Sequence, residues 1–359
     1  MAEPVTGGSS HQRRALAHAT AWPLIRYAKR YGPGLGLVIV LAGLASFIAS
    51  SLPWITHEVT IGIVLGITMA NTVGVPESAR PGVAVSFQTL LRLGVALLGA
   101  RLAFPDVIST GAGALAVVVA CMLGVLAFTI TVGRVLGLPG RLTVLIAVGT
   151  AVCGNSAIAA TAPVIRANER DVSFAVATIT AFGIVAVFVY PVVGHVLGMS
   201  DGLFGHWVGA AVNDTSQVTA AGFAFSAAAG EAAVVVKLAR NTLMGPLILG
   251  LSIWYARSAV PGEHRQRPSF LLLRAVPPFV IGFVILAMAN SAGLIPEAAS
   301  AALGGLSEVL ILVALVAVGL SADFSRFRDI GWRPFYLGVA AASVLSVAAL
   351  ALFAATETE

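Results

Sequence analysis

The chain has 359 residues, 58% of them hydrophobic and 10% charged, and its mean hydropathy of +0.94 excludes a soluble globular domain and indicates a polytopic membrane protein. The net charge of +5 invites a nucleic-acid partner, but the positions of the charges, set out below, exclude one. No hydrophilic stretch is long enough for a nucleotide-binding domain and no GxxxxGK[ST] loop occurs, so an ATP-driven pump would need a separate subunit.

The first 31 residues form a basic tail, read as cytoplasmic, and residues 32–355 form a single transmembrane domain. The tail resembles a signal peptide only superficially. The apolar run after it starts late, near Gly32, and is long enough to cross, so it is read as a retained anchor. Spans of roughly 20 apolar residues are expected near 33–52, 59–75, 85–104, 109–133, 142–165, 172–195, 205–228, 232–256, 273–293, 304–322 and 333–354. The fold class is therefore all-α, with about eleven transmembrane helices. The second span is short, and the fifth and seventh are interrupted by polar residues and glycines. Pro277 and Pro278 are expected to kink the ninth.

Lys and Arg in the loops set the orientation. With the N-terminus inside, the cytoplasmic side collects Arg13, Arg14, Arg26, Lys29, Arg30, Arg80, Arg134, Arg141, Arg257, Arg265, Arg267, Arg326, Arg328 and Arg333. The other side holds only Arg166 and Arg170, each near an acid. The basic charge is thus mostly a positive-inside bias, which removes the case for nucleic acid. A weak internal repeat relates Gly94–Phe104 and the following Gly111–Ala120 to Val313–Phe324 and Gly331–Ala341. The two copies run in opposite directions, as in the inverted repeats of secondary transporters.

Three segments could carry chemistry. The first is Gly149 to Pro163, where Gly149, Gly154 and Pro163 weaken a helix and Asn155, Ser156 and Thr161 are polar at bilayer depth. Irregular backbone survives there only inside protein or beside a wet cavity. A helix restarting near Cys153, Gly154, Asn155 and Ser156 would aim free N–H groups at the midplane, a setting suited to an anion; a continuous span with small residues for packing is the bland alternative. The second is Asn213, Asp214, Thr215, Ser216 and Gln217, five consecutive polar residues in an apolar context. Asp214 is their single carboxylate and the candidate carrier of a coupled proton; it could instead pair permanently with a cation, or the segment could be a loop. The two interrupted segments run in the same direction in this topology, which one re-entrant hairpin would resolve. The third is basic. Lys237 and Arg240 share a helix face and could face a cavity, whereas Arg92 and Arg101 lie on different faces. Snorkelling to the span ends suits Arg101 and Arg274. Glu308 lies near a span end, and Asp323 with Arg326 and Arg328 reads as a solvated turn.

Cys121 and Cys153 match no metal spacing, the six histidines are scattered, and no nucleophile–base pair or HExxH is visible. The chain is therefore not read as an enzyme, and no catalytic residue, metal or cofactor is expected.

With these segments in hand, the chain resembles the YeiH-like bacterial membrane proteins, a family named for sulfate export. The resemblance rests on Val148-Gly-Thr-Ala-Val-Cys-Gly-Asn-Ser-Ala-Ile-Ala-Ala-Thr-Ala-Pro-Val-Ile165, Leu91-Arg-Leu-Gly-Val-Ala-Leu-Leu-Gly-Ala-Arg-Leu102, the Asn213 to Gly222 segment, Gly230-Glu-Ala-Ala-Val-Val-Val-Lys-Leu-Ala-Arg240, and Gly319-Leu-Ser-Ala-Asp-Phe324 followed by Gly331-Trp-Arg-Pro334. These run in order from about residue 33 to 354. Asn155 stands where the family usually has Ala, and Asn213 where it often has His. The resemblance implies a fold similar to the sodium–proton antiporter and bile-acid symporter superfamily, with inverted repeats and broken helices near mid-membrane. It implies a secondary-active transporter of the bacterial inner membrane, N-terminus cytoplasmic, that exports a small oxyanion or sulfonate such as sulfate or sulfite. Coupling would be to protons or to another ion such as sodium. Substrate contacts are expected from Cys153, Gly154, Asn155, Ser156, Asn213, Thr215, Ser216, Gln217, Lys237 and Arg240, with Asp214 as the proton carrier. The partners are then the anion, the coupling ion and the bilayer, and a homodimer is compatible with the chain. A cation–proton antiporter using Asp214, a passive anion channel and a non-transporting membrane scaffold are the alternatives.

Overall fold

The computed structural model of the protein describes residues 9–51, 58–102, 104–257, 278–322 and 332–357. Among them all regular structure is helical. In chain order the helices are α1 (Ser9–Ser51), α2 (Glu58–Thr72), α3 (Arg80–Leu98), α4 (Phe104–Val135), α5 (Gly140–Ala151), α6 (Asn155–Thr161), α7 (Glu169–Val196), α8 (Asp201–Ala211), α9 (Thr215–Phe225), α10 (Ala227–Thr242), α11 (Met244–Arg257), α12 (Pro278–Ser291), α13 (Glu297–Ser321) and α14 (Trp332–Glu357). Seven helical stretches among the described residues are long and apolar enough to cross a membrane, with α10 and α11 counted as one stretch to Tyr255. The expected kink at Pro277, the turn at Asp323, Arg326 and Arg328, and the cations Arg265, Arg267 and Arg274 lie outside the described residues.

Local chemistry sets the helix ends. The side chains of Asn168, Ser200 and Ser226 accept from the backbone N–H groups of Asp171, Leu203 and Ala229, capping α7, α8 and α10. Glu169 and Asp171 add negative charge at the positive end of α7.

The helices sort into two groups by what they bury. One core, including Leu145, Ile158, Ile179, Phe204, Trp207 and Val236, joins α4 to α11 and α14. A second, including Val38, Val83, Leu312 and Val316, joins α1, α2, α3 and α13. Lipid tails give no hydrophobic drive for helices to associate, so close backbone approach must do the work. At the α2–α13 crossing a Cβ on Gly66 would stand 2.6 Å from the Val316 carbonyl and one on Gly319 would meet the Ile63 carbonyl. Between the groups, α2, α3, α12 and α13 pack on α7, α9 and α10 through Val95, Phe283 and Leu315 against Val187, Ala220 and Val234.

Two of the expected spans do not cross. The segment predicted over 142–165 enters as α5, breaks at Val152–Gly154 and returns as α6. Its return is fixed by contacts: Gly149 faces Ile158, and Leu138, Pro139 and Leu142 border one cleft with Asn168, Arg170, Asp171 and the start of α14 at Trp332. The segment predicted over 205–228 behaves alike from the opposite end. It enters as α8, breaks at Val212–Asp214 and returns as α9. Ser226 Oγ donates to Asp201 Oδ1 at 2.7 Å, and Phe204 stacks on Phe225 with ring centroids 4.0 Å apart. The protein therefore contains two re-entrant hairpins where the sequence reading placed two spans, and Arg166 and Arg170 lie at the same end as Arg141 and Arg333. The repeated pairs do run oppositely. Helices α3 and α13 pack antiparallel, with Ser300 Oγ bonded to the Ala100 carbonyl and Ser307 Oγ to that of Gly94.

Candidate functional site

The hairpins approach from opposite ends, and their tips meet near the middle of α7. Asn155 Nδ2 donates to Thr180 Oγ1 at 3.1 Å, and Gly154 lies against Ile179 and the Asn213 backbone. The first tip turns at Gly154 with φ +61°, a conformation in which a side chain is strained. The second tip ends at Asp214, which caps α9 by accepting from the Ser216 N–H at 2.9 Å and from the Ser216 hydroxyl.

Each first arm ends in carbonyls without intrahelical donors, and two α10 cations satisfy them. Lys237 Nζ donates to the carbonyls of Val152 (2.7 Å), Val212 (3.0 Å) and Asn213 (2.5 Å). Arg240 donates to the carbonyls of Ala151 (2.9 Å), Ala210 (2.7 Å), Val212 (2.9 Å) and Thr150. Both residues are essentially fully buried, and each touches both hairpins. They pin the tips together with charge placed at the negative ends of α5 and α8. Gly209 lets α10 come close enough to do this, since a Cβ there would stand 2.7 Å from the Ala233 carbonyl.

On the other side of the tips lies a cavity of about 380 Å³. Cys153, Asn155, Ser156 and Ala160 line it from the first hairpin, and Asp214, Thr215 and Ser216 from the second. Asn241 and Met244 close its base, and Phe87, Gln88, Leu91, Arg92, Val95 and Phe279 form the facing wall. The α6 and α9 N-termini both open onto it. Asp214 is the one carboxylate and Arg92 the one cation among the lining residues. Of the residues singled out in the sequence, Cys153, Asn155, Ser156, Asp214, Thr215 and Ser216 line the cavity, as does Arg92 from the basic set. Gly154 makes the turn behind it. Asn213 and Gln217 are buried, with Gln217 Nε2 3.4 Å from the Thr180 carbonyl, and Lys237 and Arg240 stand behind the tips.

The facing wall was not assigned to the site from sequence. A π-helical turn, Ser86–Leu90, interrupts α3 and puts Phe87 and Gln88 on the cavity. Such turns recur at functional sites because they displace side chains from the regular helical register. Arg92 stands two residues past its end. Arg101, by contrast, is paired with Glu308 at the far end of α3. Asn241 is 5% exposed, its Oδ1 has no partner among the described residues, and its Nδ2 lies 3.4 Å from Thr215 Oγ1. Its position directly after Arg240 was the available signal. A second cavity, about 620 Å³, opens at the arginine-rich end between α2, α3 and α13 and shares Phe87 and Gln88 with the first.

Comparison with known proteins places this arrangement in a family. The family model described as conserved hypothetical protein 698 matches residues 33–338. A UPF0324 membrane protein of Agrobacterium fabrum is 34% identical over 96% of this chain and 99% of its own. One from Pseudomonas aeruginosa is 34% identical over 85% of this chain and 88% of its own. The UPF0324 membrane protein TauZ of Paracoccus denitrificans is 33% identical over 88% of this chain and 92% of its own. The match runs through both hairpins, α10 and the facing wall, and the chain belongs to the conserved hypothetical protein 698 family, the UPF0324 membrane proteins.

Proposed function

We propose that the protein is a secondary-active transporter of a small oxyanion or sulfonate in the bacterial inner membrane, with the N-terminus cytoplasmic. One observation carries the reading: two re-entrant hairpins from opposite ends meet at a polar cavity whose wall supplies a guanidinium. Broken helices at a repeat interface are how secondary transporters build a midplane site. Arg92 offers a planar fork suited to an oxyanion, and Ser156, Thr215 and Ser216 offer hydroxyls. Lys237 and Arg240 add positive potential from behind the tips without touching the guest. Asp214 carries the coupled proton, since it is the one acid lining the cavity. The second cavity shares Phe87 and Gln88 with the site and lies toward the arginine-rich end, which suits loading from the cytoplasm for export.

The test is purified protein in liposomes, assayed for uptake of sulfate, sulfite and simple sulfonates with and without a pH gradient. Saturable anion flux that responds to the gradient is expected. A gradient dissipated by a cation with no anion movement would replace this reading with a cation–proton antiporter, and unsaturable, uncoupled anion flux would replace it with a channel.

A further inference from the structure

The carbonyls at the two tips do more than end two helices. Three of them, from Val152, Val212 and Asn213, converge from both hairpins on a single point. Unwound carbonyls at broken helices are the groups that hold small cations in transporters, and here a lysine Nζ occupies their focus. Its three acceptors match the three N–H groups of an ammonium, while a neutral amine would have only two to give. Lys237 is 0% exposed, and no carboxylate makes a salt bridge to it among the described residues. All three of its hydrogen bonds go to backbone carbonyls. We infer that the hairpin tips form a backbone cage for one monovalent cation and that the Lys237 ammonium is its permanent, tethered occupant.

The consequence is mechanical and chemical together. A mobile cation would let the tips separate whenever it left, whereas a tethered one holds them as a unit through every state. The same tether closes the midplane cage to sodium, so ion coupling must run through another group. That last step deepens the transport reading and rests on it; the cage itself rests on the tip geometry.

Chemical rescue tests the cage. Lys237→Ala removes three methylenes and the ammonium, a gap that n-propylammonium fills. Thermal unfolding of the purified protein is followed in chloride salts of N-methylglucamine, sodium, ammonium, n-propylammonium and tetramethylammonium. The wild-type midpoint is expected to be the same in all five. Lys237→Ala is expected to melt lower and to regain roughly 5 °C, saturably, with n-propylammonium or ammonium. Tetramethylammonium, which has no N–H, should do nothing. Lys237→Met fills the stem without charge and should stay destabilised in every salt. A Lys237→Met protein as stable as wild type overturns the proposal, as does a Lys237→Ala protein that ignores every amine. A Lys237→Ala chain that cannot be recovered folded even when prepared in n-propylammonium also overturns it. Rescue of Lys237→Ala alongside a wild type that moves no anion in liposomes would leave the cage standing and remove the transport reading.

Discussion

Replacing Arg240 by Met isolates the energy stored where the hairpins meet. The guanidinium reaches the carbonyls of Thr150, Ala151, Ala210 and Val212. Val212 keeps Lys237 as a donor at 3.0 Å, so three carbonyls lose their donor. An unsatisfied buried acceptor costs about 1–3 kcal/mol, which gives a gross loss of roughly 3–9 kcal/mol. Against this, the variant no longer buries a guanidinium, a relief of several kcal/mol. Met fills most of the vacated volume, so little cavity cost adds to the sum. A net loss of about 2–4 kcal/mol follows, which for a chain of 359 residues is a fall in unfolding midpoint of roughly 3–5 °C. The protein carries its own probes for the measurement. Cys121 and Cys153 are free and buried, so a thiol-reactive dye reports unfolding without labelling the native state. In a Cys121→Ala background, Cys153 at the first tip should also react faster well below the midpoint in Arg240→Met. Arg240→Lys keeps the charge but not the fork and should fall between. A midpoint for Arg240→Met within about 2 °C of wild type would refute the reasoning, because the tip carbonyls would then be satisfied without the arginine.

Three other outcomes follow from the same geometry. Arg92 lines the cavity and makes no salt bridge among the described residues, so Arg92→Ala should raise KM for the transported anion by about tenfold or more while leaving the unfolding midpoint unchanged; an unaltered KM removes it from the site. Asn caps helices as well as Asp does, so Asp214→Asn should fold normally and move anion without response to a pH gradient, and a response equal to wild type ends the proton-carrier assignment. Single cysteines at Arg141 and Arg170, in a background lacking Cys121 and Cys153, should both react with an impermeant thiol reagent from one face, and a cysteine at Leu197 from the other. Labelling of the first two from opposite faces would restore a crossing at the first hairpin.

Much of the site was legible because polar residues in an apolar run must have a reason. Asn155 and Ser156, and Thr215 and Ser216, stand out against their flanks, and both groups fall at helix restarts on the cavity. Lys237 and Arg240 were equally visible, but their target was not. A cation in a span reads as a partner for an anion, and nothing in the sequence announces that six backbone carbonyls will converge on this pair. Gln88 went unnoticed and Arg92, though named among the basic residues, was not tied to the site, for a different reason. They sit on a helix whose register is shifted by a π-turn, and no residue type encodes that turn.

The hairpins pose the subtlest case, because a broken apolar segment of some twenty residues is long enough either to cross or to enter and return. Hydropathy cannot separate the two, but charge could have done so. The eleven-span reading left Arg166 and Arg170 as the only loop cations on the wrong side, and they lie between the two broken segments. Let the first segment return, and both move to the arginine-rich end. That single change would flip every later loop, including Arg333, unless a second segment between Arg170 and Lys237 also returned. The second broken segment, with its five polar residues, is the one available. Two hairpins together therefore remove both exceptions and disturb nothing else. One hairpin alone, the option the direction of the helices suggested, would have reversed the sidedness of the remaining chain.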